Sequence, residues 1–474
     1  MVVSAVVNSE LPAPALAGTD GLQGKALLQA MCCIIFGLVL CVMDSTMLNL
    51  ALPLMARQWQ VDPALTLWVV NANQIAALVM LLPLAALGER LGYKRVYLWG
   101  MGLFGITGWV SMWAPSLEWL IVGRTLQGLG MAGALSVNAA LVRQIYPRAL
   151  LGKGMALNSM MVALTTVTGP VLSAAVLSLW DWRWLFVLHV PLTLALCAWG
   201  RKSLPGPRED RPQGKLSLWD VALNIVVFAS LFLCVDRLSH SGGDNWQPAA
   251  AWLVLGLGAG VVYVWRQRRQ AEPMLPLDLL RIEAFRLSMG ASVCAFAAQT
   301  LAFLSLPFLL MGAHGLSTGQ VGMLISAWPL ALALTSPWVG RCIGRVPASK
   351  LGGVGMLVFT AGVWALAAMP HNAADWNVAW RLALCGMGFA LFQSPNNHTI
   401  VTASPLHRSA AASGMLGTAR HIGQGLGAVA LAGIFVLWPG HLGAAEQRAL
   451  WLAGGCALLA GVFSVLRYTP VKKP

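Results

Sequence analysis

The chain is 474 residues long, 58% hydrophobic and only 10% charged, with a formal net charge of +14. Length alone would suggest about three soluble domains, but nearly all of the chain is taken up by long apolar runs. The positive balance does not mark a nucleic-acid binder, because it is scattered over short loops with no basic patch interleaved with aromatics.

Residues 1–24 contain no Lys or Arg and no apolar run. They read as a disordered cytoplasmic tail, over residues 1–25, and not as a cleavable signal peptide. Fourteen apolar stretches follow, each near the roughly 20 residues that carry a helix across a bilayer. They run approximately 27–54, 66–88, 95–114, 117–144, 152–178 and 184–200, then 217–238 and 249–266, then 284–312, 317–340, 350–369, 377–402, 409–438 and 446–467. Gly200 to Lys215 is rich in Pro, Gly and charge, and Arg266 to Arg286 is basic and holds Pro273 and Pro276. These breaks predict flexible linkers at 201–216 and 269–283. The expected fold class is an all-α polytopic membrane protein. It has a six-helix bundle at 26–200, two extra helices at 217–268, a second six-helix bundle at 284–468 and a tail at 469–474.

Loops on one side carry 24 of the Lys and Arg residues and loops on the other only five, Arg57, Arg183, Arg237, Arg381 and Arg448. The positive-inside rule then places both termini in the cytoplasm of a bacterial cell, with the chain crossing the inner membrane many times. Trp59, Trp68, Trp113, Trp119, Trp246, Trp376, Trp438 and Trp451 sit near stretch ends, where an amphipathic ring suits the interface. Nine cysteines show no CxxC or Cys/His spacing, so neither a disulfide framework nor a metal site is expected.

Ionisable groups inside a bilayer are costly, which makes each a functional candidate. Asp44 lies nine residues before Pro53, about 13 Å along a helix, and Arg124 six residues after Glu118, about 9 Å. Entering from the same side, the two can meet at similar depth. Gln127, Gly128, Met131 and Asn138 share the Arg124 face. Two readings stay open: a proton switch, in which burial and Arg124 act on Asp44 in opposite directions, and a static ion pair that docks two helices. In Pro83 to Arg95, Glu89 and Arg90 end one helix, Gly92 allows a tight turn, and Lys94 and Arg95 open the next. That loop serves either as a conformational latch or as a plain basic anchor. Gly169-Pro170 supplies a packing notch and a kink, with gating as a possible consequence.

Pro83 to Arg95 is faintly repeated in Pro337 to Lys350. Paired six-helix halves with a site between them are a transporter architecture. Polar residues that could line such a site are Asn49, Asn71, Asn73, Gln74, Asn158, Gln299, Gln393, Asn396 and Asn397, each equally able to bond between helices. Gln393 to His398 is expected to interrupt the twelfth stretch. Arg420 has no acid in the body of the last six stretches. It meets backbone carbonyls, the Asn396 and Asn397 amides, or an anionic group of a substrate.

Met43 to Pro53, Gly88 to Arg95, Arg124 with Gln127-Gly128, and Gly169-Pro170 followed by Trp182-Arg-Trp184 resemble motifs of the fourteen-helix drug:H⁺ antiporters of the major facilitator superfamily. The resemblance runs from about residue 27 to 468. It implies protonation at Asp44, proton transfer aided by Arg124, and gating by the 88–95 loop and the Gly169-Pro170 pair. Departures are Glu89 where the family usually has Asp, Ala85 for a Gly, Asn73 for a frequent Tyr, and no acid in the tenth stretch. With Asp44 as the lone central carboxylate, broad handling of dications is not expected. The 136–147, 392–400 and 413–420 stretches look close to a narrower group of bacterial transporters with no assigned substrate.

The leading expectation is a proton-coupled exporter of small amphipathic or lipophilic compounds, working by alternating access as a monomer in the lipid bilayer. It would use the proton gradient and no cofactor. The alternative is a dedicated exporter of one endogenous metabolite, carrying a carboxylate that pairs with Arg420. There is no P-loop, HExxH or nucleophile elbow, so no enzyme is expected.

Overall fold

The computed structural model describes residues 21–48, 51–61, 66, 68–187, 189–206, 217–240, 247–270, 273–316, 318–370, 373–438 and 444–467. Among them the regular structure is helical, apart from an isolated bridge between Ile343 and Val346. The helices are α1 (Gly24–Met47), α2 (Leu52–Trp59), α3 (Trp68–Leu91), α4 (Tyr93–Met112), α5 (Leu117–Ile145), α6 (Leu151–Leu179), α7 (Trp184–Val187) and α8 (His189–Ser203). They continue as α9 (Leu218–His240), α10 (Gln247–Gln267), α11 (Glu283–Phe308), α12 (Thr318–Ile325), α13 (Ala327–Cys342), α14 (Ala348–Ala367), α15 (Asp375–Ala403), α16 (Ser409–Leu437) and α17 (Ala444–Leu466). Helix falls on every one of the apolar stretches, and ten helices among the described residues are long and apolar enough to cross a membrane.

Two compact units divide the chain. One comprises Met1–Ser217 with Pro405–Gly414, the other Leu218–Ser404 with Met415–Pro474. In the first unit α5 packs on α3 and α4, and α1 packs on α6, α5 and α8. In the second, α15 packs on α13 and α14, α17 on α11 and α14, and α9 pairs with α10. Between apolar helices in lipid there is little hydrophobic drive, so close approach at small residues has to hold them. A methyl group at Gly130 would fall 2.5 Å from the Phe104 amide nitrogen, and one at Gly100 2.7 Å from the Gly130 carbonyl oxygen.

Four details depart from the sequence reading. The first stretch does not run to residue 54 as one helix: α1 ends at Met47, and Leu52–Trp59 forms a separate short helix. The twelfth is not interrupted at 393–398: α15 runs unbroken through Pro395. One backbone bond, to the Leu391 carbonyl, is lost to proline, and that is tolerated in a long helix whose other bonds face no competing water. The tenth stretch is instead divided at Ser326, three residues before Pro329, which has no N–H for the Ile325 carbonyl. Ser326 Oγ donates there to the Gly322 and Met323 carbonyls, both at 2.8 Å. The first linker begins later than residue 201, because α8 continues to Ser203. The tail at 1–20, most of the 201–216 linker and the end of the chain lie outside the described residues.

Candidate functional site

Asp44 projects from the last turn of α1 and is 1% exposed, and Arg124 of α5 is fully buried. Arg124 Nη1 donates to Asp44 Oδ1 at 2.9 Å and Oδ2 at 2.8 Å, and to Gln127 Oε1 at 2.7 Å. Gln127 Nε2 closes the ring by donating to Asp44 Oδ1 at 3.1 Å. The guanidinium is steadied from α3, where the Val69 carbonyl accepts from Nε at 3.1 Å, and Asn73 Nδ2 donates to the Arg124 carbonyl at 3.3 Å. Phe186 lies under it, 5.9 Å from ring centre to guanidinium carbon. Nη2 of Arg124 and Oδ1 of Asn73 have no partner. Three helices thus hold one ion pair by charge-assisted bonds, and a cation donor is left spare.

Although Asp44 is only three residues from the end of α1, it does not reach solvent. Met47, Leu48, Leu52, Met55, Val69, Leu117, Leu120, Trp182 and Phe186 pack into an apolar cluster around that end. The short α2 supplies part of this cover, and Trp182 is fixed by its Nε1 donating to Gln58 Oε1 at 2.6 Å and by Trp59 at 5.3 Å between rings. Gly169 seats α6 on α1, since a methyl group there would collide with Thr46, two residues from Asp44. The side chain of Pro170 is not among those described.

His189, at the start of α8, was not singled out by the sequence. It is buried, edge-on to Phe104 at 5.6 Å, and its Nδ1 has no hydrogen-bond partner. The charges of Asp44 and Arg124 both reach it. Its only sequence signal is an ionisable residue inside an apolar run.

The 88–95 loop divides its charges among different tasks. Gly92 takes φ +99°, a left-handed conformation that glycine adopts without steric cost, and turns α3 into α4. Glu89 is buried; its Oε2 accepts from Arg408 Nη1 at 3.1 Å and its Oε1 from the Ala411 amide at 2.8 Å. A carboxylate therefore meets the open N–H groups and positive end of α16. Arg143 of α5 reaches the same turn, donating to Ser409 Oγ at 2.9 Å. Lys94 Nζ donates to the Arg201 and Leu204 carbonyls at 2.7 and 2.8 Å, at the end of α8. Arg95 is exposed, and Arg90 keeps a buried Nη1 with no partner. Arg408 and Arg143 entered the sequence reading only as loop charges.

The remaining polar candidates scatter. Asn158 Nδ2 bonds Asn138 Oδ1 at 2.8 Å, Asn71 and Gln74 are half-buried on α3, and Asn49 lies outside the described residues. In the second unit Gln393 and Asn397 are buried and Gln299 half-buried. Asn396 does not serve Arg420. Its Nδ2 donates to Ser292 Oγ at 2.7 Å and its Oδ1 accepts from Arg467, which also donates to Ser288 Oγ at 2.8 Å and Ser464 Oγ at 3.0 Å. Arg420 stands instead over the Phe296 ring at 5.1 Å, half-buried, with its Nε unpartnered.

Many bilayer-length helices in two units, one enclosing an acid and a base, define a polytopic secondary transporter. The chain belongs to the Major Facilitator Superfamily, whose profile matches residues 34–428 and 288–474. It is 40% identical over 452 residues to the uncharacterized transporter YebQ of Escherichia coli (strain K12), covering 95% of this chain and 97% of that one. It is 29% identical over 410 residues to the multidrug resistance protein Stp of Mycobacterium tuberculosis (strain CDC 1551 / Oshkosh), covering 85% and 74%. The crystal structure of the human organic anion transporter MFSD10 (TETRAN) shares the fold, with a TM-score of 0.69 at 16% identity over 93% of this chain and 100% of that one.

Proposed function

We propose that the protein is a proton-coupled exporter of small amphipathic or lipophilic compounds, a drug:H⁺ antiporter working by alternating access. It sits in the bacterial inner membrane with both termini in the cytoplasm, needs no cofactor and acts as a monomer. The observation that carries the reading is the Asp44–Arg124–Gln127 ring, an acid and a base bonded together out of water. A proton arriving at Asp44 removes the negative charge, and Arg124 then loses the partner that holds α1 to α5. That loss is large in a low-dielectric interior, so protonation favours a different helix arrangement in which Arg124 Nη2, Gln127 and Asn73 reorganise. Release of the proton on the cytoplasmic side restores the pair. Substrate leaves on the return stroke, so proton entry drives export.

Glu89 is the second element of the cycle. Its bonds to Arg408 and the Ala411 amide fasten the start of α16, a helix whose later residues belong to the other unit. Breaking and remaking this latch accompanies each switch. The name of the Stp relative includes multidrug resistance, which favours a lipophilic cargo. Export of a single metabolite is the narrower alternative.

Proteoliposomes loaded with a pH-sensitive dye test the reading. A panel of amphipathic compounds should drive proton flux through the wild-type protein, and Asp44→Asn should abolish that flux while still inserting and purifying as a folded monomer. Full coupled flux in Asp44→Asn would remove Asp44 from the mechanism.

A further inference from the structure

Arg420 is the twelfth of the 29 residues of α16, close to the helix middle. That helix presents three distinct faces. Gly423 and Gly427 press on α11, where added methyl groups would meet the Val293 carbonyl at 2.5 Å and the Ala297 carbonyl at 2.5 Å. Ile422 and Leu426 are exposed apolar residues, suited to lipid. Gly417, Arg420 and Gln424, at intervals of three and four, are half-buried and belong to neither face. A guanidinium, an amide and a glycine on one half-open stripe suit neither packing nor lipid.

Among the described residues no acid pairs with Arg420. From Glu283 onward the acids are Glu283, Asp375 and Glu446, and each lies in the first turn of its own helix, away from the helix middles. No hydrogen bond or ion pair engages Arg420 among the described residues, and its buried Nε is free. By contrast Arg124 has Asp44, and Arg467, although its Nε is also free, donates to Asn396, Ser288 and Ser464. A cation held among apolar helices without a paired acid is costly unless something brings the negative charge.

We infer that Arg420 docks the anionic group of the substrate, and that the exported compounds are amphipathic organic acids, chiefly monocarboxylates. The free Nε and a neighbouring Nη form the edge that a carboxylate takes with two parallel bonds, a geometry that lysine does not reproduce. Gln424, one turn on, can donate a further bond, and Phe296 backs the guanidinium plane. With no acid along the same stripe, a cationic compound meets repulsion and no partner. This assignment rests on the exporter reading above and adds to it the class of substrate.

The test uses inverted membrane vesicles from an efflux-deficient strain overproducing the full chain. The probes are salicylate, 1-naphthoate and 1-pyrenebutyrate, with their methyl esters and the amines of the same rings. Wild type should move carboxylates with coupled proton flux and leave esters and amines untouched. Arg420→Gln should lower kcat/KM for carboxylates by at least about tenfold, and Arg420→Lys should recover part of it, with melting temperatures matching wild type. Esters or amines moved as well as the acids, carboxylate movement unchanged in Arg420→Gln, or no movement of any probe by folded wild type would each overturn the assignment. Carboxylate movement without proton flux and insensitive to Asp44→Asn would sink proton coupling and leave Arg420 standing. Amine movement that needs Asp44 would do the reverse.

Discussion

The two units build the same helix contacts and fill them with opposite chemistry. In the first, Gly128 and Gly130 of α5 lie against the Asn73 carbonyl of α3 and the Phe104 amide of α4. In the second, Gly386 and Gly388 of α15 lie against the Trp328 carbonyl of α13 and the Phe359 amide of α14. The glycines correspond at a shift of 258 residues, which sets Leu382 in register with Arg124 and Cys385 with Gln127. Where the first unit has an ion pair, the second has an aromatic chain running Trp328, Phe359, Phe389 and Phe296 at 5.3 to 5.7 Å. Backbone approach is set by glycine in both, so the scaffold does not dictate what occupies its centre. One unit can hold a buried ion pair while the matching place in the other stays apolar, with the cations Arg420 and Arg467 on neighbouring helices.

Making the first unit resemble the second is the sharpest way to break this comparison. Arg124→Leu copies the second unit at one position and strands a buried carboxylate, and should cost about 3–5 kcal/mol of stability. Asp44→Leu combined with Arg124→Leu should regain most of that loss, because a well-packed apolar pair commonly substitutes for a buried ion pair. Melting of purified single and double variants reads this directly. The double variant should nonetheless be inert in proton flux.

The shared scaffold predicts matched damage. Gly130→Ala and Gly388→Ala place a methyl group 2.5 Å from the Phe104 amide and 2.6 Å from the Gly355 carbonyl, respectively. Each should lose about 1–3 kcal/mol, the usual range for overpacking. Thermal denaturation of the two variants side by side tests the equivalence; loss in only one would mean the contacts are not alike in energy. Glu89→Ala comes next, since it removes a helix-end charge and a half of an ion pair with Arg408. It should cost about 1–2 kcal/mol. The larger consequence expected is a shift in the ratio of conformers, measured by spin-label distances across the start of α16.

The scaffold was readable in the sequence because lipid-spanning runs and alternating loop charge are long-range patterns that need no knowledge of packing. Asp44 and Arg124 were readable for the same reason, being charges where charge is expensive. Partners were harder. Glu89 stands out as a charge in its loop, yet the group it bonds is 319 residues away at Arg408, and nothing local tells a paired arginine from an orienting one. Asn396 looked like a cavity residue, but its environment is fixed by Arg467 arriving from the end of α17. Pro395 looked like a break because the sequence does not reveal that the rest of α15 keeps its bonds.

His189 gives the smallest expected effect on stability and the finest test of the contrast. In the second unit Phe359, the register partner of Phe104, packs on apolar rings; in the first, Phe104 meets an imidazole with an open nitrogen. His189→Phe keeps a ring against Phe104 and removes a buried polar atom without a partner. Stability should therefore hold within about 1 kcal/mol, or rise slightly. If the imidazole only packs, proton flux and its pH profile will also be unchanged. Because the charges of Asp44 and Arg124 both reach this ring, the expected outcome is an altered pH profile of proton flux with unaltered melting. His189→Ala would not separate the two roles, since it also opens a cavity beside the ion pair, and the phenylalanine variant is the one that decides.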